Sequence, residues 1–168
     1  MKKIFFTLII CLFKFNFAYS LIEVDITRGN LDPLPIAVSP LHVDVQSDNY
    51  QDVKIKKLGD SISSVIEKNF RSTGLFNPLN KDAFVQKPDI AHLKPRFEDW
   101  GLITAQALVT GKILIKDEKL KVEFRLWDVA ANKEMIALAF TTTPSNWRRV
   151  AHIISDKIYE RLTGETGY

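Results

Sequence analysis

Three runs between residues 105 and 141 leave this chain little choice of architecture. Residues 105–115 are apolar-rich, fit for a strand covered on both faces. Leu120, Val122, Phe124 and Leu126 then alternate with Lys121, Glu123, Arg125 and Trp127, and Ile136, Leu138 and Phe140 alternate with Ala137, Ala139 and Thr141. Neighbouring side chains on a strand point to opposite faces, so a period of two marks a sheet with one dry and one wet side. The links at 116–118 and 128–133 are short enough for antiparallel hairpins. A three-strand meander with an apolar face must bury that face, and the rest of the chain has to supply the cover.

Helical cover is written on both sides of the meander. Ile55, Leu58, Ile62, Val65, Ile66, Asn69 and Phe70 recur at helical spacing, with Lys54, Lys56, Lys57, Glu67 and Lys68 on other faces and Gly74 as a left-handed stop. Trp147, Val150, Ala151, Ile154, Ile158 and Leu162 form the stripe of a last helix, opened by Thr143-Pro144-Ser145 with Ser145 as its cap and closed by Gly164. Further strands are expected at 22–27, where apolar and charged residues alternate strictly, and at 36–38, with His42-Val43-Asp44-Val45 as a short extension. Phe76 to Leu79 reads as extended. Residues 80–95 read as irregular, because Pro88 and Pro95 forbid a long helix, and 97–100 as one helical turn stopped by Gly101. The expected fold is α+β: a mixed sheet of about five strands in two layers, with two main helices and one short helix. No repeat, low-complexity tract or linker divides residues 21–168, so they read as one domain.

The first twenty residues have a different purpose. Lys2 and Lys3 precede an apolar run from Ile4 to Phe13, and Ala18-Tyr19-Ser20 offers small residues for cleavage, the layout of a secretory signal. Lys14 cuts the run short of the 20 or so apolar residues that a membrane span needs. Removing 1–20 takes away Lys2, Lys3 and Lys14, so Lys+Arg falls from 23 to 20 against 20 Asp+Glu, and the net charge of +3 becomes zero. A nucleic-acid binder draws its affinity from surplus cations, and none remain. Cys11, the only cysteine, leaves as well, and bulky Ile10 before it spoils a lipoprotein signal. The exported domain is therefore expected to hold no disulfide, no thiol nucleophile and no cysteine metal site.

Few residues elsewhere suggest chemistry. The seven glycines are scattered and no Gly-Lys-Ser/Thr occurs, so no phosphate loop is present. His42, His92 and His152 lie fifty or more residues apart, although His42 and Asp44 share one strand face as two potential ligands. Ser39 and Ser145 lack the strained turn that presents a nucleophile. Glu98-Asp99 and Asp117-Glu118 are neighbours whose side chains diverge into water. Arg148-Arg149 with Arg161 could hold an anion or decorate a solvated face. Trp127, on the charged side of its strand, either covers a second layer or lines a contact surface. Such a chain points to binding or assembly work, with no metal, cofactor or small-molecule substrate. A hydrolase survives only if a pocket gathers His42 or His152 with a carboxylate.

Several stretches in fixed order resemble the TolB amino-terminal domain family of the Tol–Pal system. They are Ile22 to Thr27, Leu34-Pro35-Ile36-Ala37-Val38-Ser39-Pro40, and Phe70 to Leu79 with its Ser72-Thr73-Gly74-x-Phe76 core. Trp100-Gly101-Leu102 then leads to Thr110-Gly111-Lys112, followed by Phe124-Arg125-Leu126-Trp127-Asp128 and Lys157-Ile158-Tyr159-Glu160-x-Leu162-Thr163-Gly164. The resemblance implies a periplasmic, non-catalytic contact module that supports envelope integrity, cell division and protein import. It implies that the mature amino terminus engages a TolA-type inner-membrane protein. Matched here, that segment comprises Leu21, Ile22, Glu23, Val24, Asp25, Ile26, Thr27, Arg28, Gly29, Asn30, Leu31, Asp32 and Pro33. From the residues alone, the same stretch could equally be the first strand of the domain's own sheet. Family members continue into a β-propeller that binds the lipoprotein Pal, whereas this sequence ends at Tyr168. It is expected to be either a fragment or a free-standing product, and Pal is a partner only if a propeller is present elsewhere. Another periplasmic interaction protein on a similar fold, such as an activator of peptidoglycan synthases, is the alternative.

Overall fold

The computed structural model describes residues 22–24, 32–45, 55 and 57–166. The meander lies where the alternation puts it, as β4 (Ala107–Lys116), β5 (Lys119–Asp128) and β6 (Lys133–Thr142). β4 and β5 pair antiparallel from Ala107↔Asp128 to Lys116↔Lys119, and β5 pairs with β6 through a ladder interrupted by a bulge at Leu126/Trp127. The two-residue turn between β4 and β5 sets Asp117 and Glu118 at φ of 49° and 59°. Positive φ at both central residues matches the twist of the strands, although glycine or asparagine usually takes such places.

The other edge of β4 is occupied in tandem. β1 (Leu34–Val38) runs parallel to its first half, Ile36 beside Ala107, and β2 (His42–Val45) runs parallel to its second half, His42 beside Lys112. β1 and β2 are thus one interrupted strand, as the short extension implied. In the interruption Leu41 is buried. The first turn of α1 (Leu58–Thr73) lies against it so closely that a Cβ on Gly59 would overlap the Leu41 carbonyl oxygen. Phe76–Pro78 is a true strand, β3, parallel to β1 through Leu34↔Phe76. Among the described residues the sheet therefore has six strands in the order β3-β1-β4-β5-β6, with β2 beside β4. Only three residues long, β3 is too short to show a period, which is why it reads merely as extended.

Both long helices cover one face. Ile62, Ile66 and Phe70 of α1 and Ala151, Ile154, Ile158 and Leu162 of the last helix, α4 (Trp147–Thr163), meet Val38, Val109, Ile113, Val122, Phe124 and Leu126 of the sheet. Gly74 and Gly164 end these helices at φ of 71° and 75°, in the left-handed region where a side chain is strained. The start of α4 differs from expectation. A 3-10 turn over Pro144–Asn146 precedes it, and the Ser145 hydroxyl meets Thr143 Oγ1 at 2.9 Å rather than capping the helix. α3 (Phe97–Leu102) also runs on through Gly101, which is tolerated because nothing packs within reach of its missing Cβ.

Residues 79–105 form a smaller layer on the opposite face, with α2 (Pro88–Ala91) and α3 closing over Ala37 and Leu108. Gln86, only 3% exposed, organises it. Its Oε1 accepts from Arg96 N at 2.9 Å and from Trp100 Nε1 at 3.0 Å, and its Nε2 donates to the Lys94 carbonyl at 3.0 Å. Trp127 covers this second layer, meeting Phe97 edge-on at 5.7 Å and donating from Nε1 to Thr110 Oγ1 at 2.9 Å. One of the two sequence alternatives is thereby settled. Beyond this layer the face carries ion pairs, with Glu123 2.7 Å from Lys121 and 3.7 Å from Lys112, and Arg125 3.0 Å from Glu134.

Two measurements follow. Gln86→Leu leaves two donors and one acceptor without partners, and chemical denaturation should show a loss of about 3 kcal/mol. The Lys121 hydrogen bond, aided by the charges of Lys112 and Arg125 and opposed by partial burial, holds the Glu123 carboxyl below its ordinary 4.5. A depressed carboxylate adds stability above its unfolded value and loses it as pH falls through the folded one. The melting-temperature advantage over Glu123→Gln should therefore be full at neutral pH and shrink below about pH 4.5.

Candidate functional site

The described part of the predicted contact segment lies against the bottom of the domain, at the end of the sheet where β5 finishes and α4 ends. Residues 22–24 join no ladder. Two backbone hydrogen bonds hold them: Val24 N donates to the Leu162 carbonyl in the last turn of α4 at 2.7 Å, and Ile22 N donates to Asp128 Oδ2 at 3.2 Å. Ile22 and Val24 lie half-buried against the main core, while Glu23 faces out. The alternation is thus used as on a strand, but the hydrogen bonds go to a helix end and a side chain. Asp32 and Pro33 are exposed and lead into β1. Leu21 and residues 25–31, the rest of the predicted segment, lie outside the described residues, as does the leader at 1–20.

Asp128 ties the segment to the sheet. It is 1% exposed, and while Oδ2 receives Ile22, Oδ1 accepts from Ala131 N at 2.8 Å in the turn to β6. A buried carboxylate must be hydrogen-bonded, and both of its donors come from backbone. In the sequence Asp128 stands out only as the start of a hairpin link and as part of the Phe124 to Asp128 resemblance. Its place at a strand end before a turn, a usual site for aspartate, hid its second duty.

The other candidates are dispersed. His42 stacks on His92 with ring centroids 4.6 Å apart, and His92 Nδ1 donates to the Pro88 carbonyl at 2.9 Å, so this pair links β2 to α2. An open trough of about 540 Å³ beside it includes Asp60 and Asp89. Asp44 lies opposite Leu114. His152 does share a cleft with a carboxylate: a space of about 240 Å³ between α1 and α4 is lined by Asn69, Ser155, Asp156 and Tyr159 as well. The arrangement does not suit nucleophilic catalysis. The Ser155 hydroxyl donates to the Ala151 carbonyl at 3.0 Å, and His152 Nδ1 accepts from Asn69 Nδ2 at 3.0 Å instead of meeting the hydroxyl. Ser39 is buried and donates to its neighbouring carbonyl of Pro40. Arg148 lies over Trp147 at 4.4 Å, whereas Arg161, thirteen residues further along α4 and roughly 20 Å away, donates to the Met135 carbonyl. They form no common anion site. Among the described residues no three His, Cys, Asp or Glu side chains gather as metal ligands.

Fold and site together define a small α+β domain with residues 22–24 hydrogen-bonded at one end of the sheet. The chain belongs to the TolB amino-terminal domain family, whose model matches residues 22–135. It is 69% identical over 153 residues to the Tol-Pal system protein TolB of Pelagibacter ubique (strain HTCC1062), a match covering 90% of this chain and 34% of that protein. The chain thus spans about a third of that relative's length. The crystal structure of TolB from Acinetobacter baumannii aligns with a TM-score of 0.65 at 20% identity, over 88% of this chain and 31% of that one. A PelC dodecamer subunit from Paraburkholderia phytofirmans shares the fold at a TM-score of 0.50 and 15% identity, over 86% and 96% of the two chains.

Replacing Asp128 by alanine removes the acceptor of two backbone donors. The variant should lose about 1–3 kcal/mol in denaturant and exchange the Val24 amide faster, because one of the two hydrogen bonds that hold residues 22–24 among the described residues is then gone. An unchanged Val24 exchange rate would show that Asp128 does not anchor the segment.

Proposed function

We propose that this chain is a non-catalytic docking module of the bacterial periplasm that acts in the Tol–Pal system. Exported and freed of residues 1–20, it offers residues 21–33 to a TolA-type inner-membrane protein. Through that contact it contributes to envelope integrity, cell division and protein import. Pal joins the list of partners only where a propeller accompanies the domain.

The observation that carries this reading is the manner in which the leading segment is attached. Among the described residues, Ile22 and Val24 are half-buried and held by two backbone hydrogen bonds, outside any ladder. Few contacts and a terminal position make a segment cheap to release. Once released, alternating Ile22, Glu23, Val24, Asp25 and Ile26 suit addition to a partner's sheet edge, where backbone hydrogen bonds give affinity and every second side chain gives specificity. The remaining domain keeps its own two-faced core without the segment.

Deleting residues 21–33 should abolish calorimetrically measured binding to the carboxy-terminal domain of TolA while leaving a cooperative thermal transition. Equal affinity with and without the segment would refute the proposal.

A further inference from the structure

Beyond its first residues, the outer edge of β6 carries no charge or proline to keep edge strands apart. β6 is ten residues long and, among the described residues, pairs only with β5. Natural edge strands are guarded by lysine, proline, inward charges or a bulge. Here the bulge and the charges Lys133 and Glu134 lie at the beginning, and Met135-Ile136-Ala137-Leu138-Ala139-Phe140 carries no charge or proline. Ile136, Leu138 and Phe140 point to the helix side, opposite Leu126, Phe124 and Val122. Leu138 is nevertheless 37% exposed, because α4 does not reach over the edge. Between them lies a groove of about 730 Å³, floored by Ile136 and Leu138 and bordered by Lys157, Glu160, Arg161 and Glu23.

We propose that this edge pairs with β6 of a second copy of the chain, antiparallel about Leu138, to make one continuous sheet. The strand is complementary to itself in that register. Leu138 meets Leu138, Ile136 meets Phe140 on the helix side, and Ala137 meets Ala139 on the other. Met135 faces Thr141 and Glu134 faces Thr142, so no like charges oppose each other. A twofold contact of this kind is closed and ends at two copies.

The layer above the sheet agrees. α4 packs on β5 and β6. With strands about 4.8 Å apart, the twofold places the two α4 helices roughly 10 Å from each other, the spacing of packed helices. They run antiparallel, and each brings Lys157 and Arg161 together with Glu160 to the groove, now paired within the helix at 2.8 Å between Lys157 and Glu160. Each helix offers both signs of charge there, so the cations of one copy can be set against Glu160 of the other. The two grooves merge into an interface whose apolar floor is Ile136 and Leu138 from both copies.

Sedimentation equilibrium on the chain over about 1 to 500 µM decides the matter. The expected result is a monomer–dimer equilibrium within that range. Leu138→Lys should weaken it at least about tenfold while leaving the circular-dichroism melt close to that of the parent. Lys157→Glu should weaken it too, and adding Glu160→Lys should restore it, which keeps the test open if Leu138→Lys fails to fold. A chain that stays monomeric to the top of the range overturns the proposal. So does a dimer indifferent to both Leu138→Lys and the charge exchange.

Discussion

The fold hangs on β4. Among the described strands it is the one with three partners, hydrogen-bonded to β5 through its whole length and to β1 and β2 in succession on the other side. Its first five residues are buried on both faces, beneath the two long helices and above the smaller layer of residues 79–105. Such a strand must be apolar almost throughout, and it needs a place where backbones can approach closely. Gly111 is that place, since a Cβ there would collide with the Glu123 carbonyl oxygen of β5. Every other element is positioned by its distance from β4, including the hairpin that ends in Asp128.

That dependence explains what could be read in advance. Runs of ten residues with a clear period, such as β5, or with continuous apolar character, such as β4, identify themselves because burial on one face or two leaves a mark at each position. The helices α1 and α4 do the same over four turns and carry their glycine stops. The polar network was invisible. Gln86, His92 and Asp128 are unremarkable in sequence, and each acquires its meaning from groups brought close by tertiary folding: the Arg96 amide and Trp100 indole for Gln86, the His42 ring for His92 and the Ile22 amide for Asp128. The Gln86 partners lie 8 to 14 residues away, and the link from Asp128 to Ile22 spans 106. Spacing along the chain cannot reveal contacts of that kind.

The leading segment was legible in a different sense. The strict alternation at residues 22–27 announces a two-faced extended stretch, and Ile22 and Val24 do turn inward as it demands. What alternation does not encode is the identity of the hydrogen-bonding partner. A strand pattern is satisfied equally by a sheet edge, by a helix end, or by one after the other. The carbonyl of Leu162 is available because the last four carbonyls of a helix have no partner within it. The carboxylate of Asp128 is available because only one of its oxygens serves the turn to β6.

Release of the segment consequently has two costs of unequal kind. Leu162, in the last turn of α4, can exchange its donor for water with little loss, as helix ends ordinarily do. Asp128 is different, because it is buried and Ile22 supplies one of its two donors. When the segment leaves, either water enters to replace that donor or a carboxylate oxygen stays unsatisfied, and the latter costs about 1–3 kcal/mol. The same opening uncovers apolar surface of the core beneath Ile22 and Val24, at roughly 25 cal/mol for each Å². A partner that takes the segment must therefore offset both terms with its own backbone hydrogen bonds and apolar pockets. Selectivity follows from the second term: a surface that bonds the backbone but offers nothing to the two aliphatic side chains recovers too little to open the site.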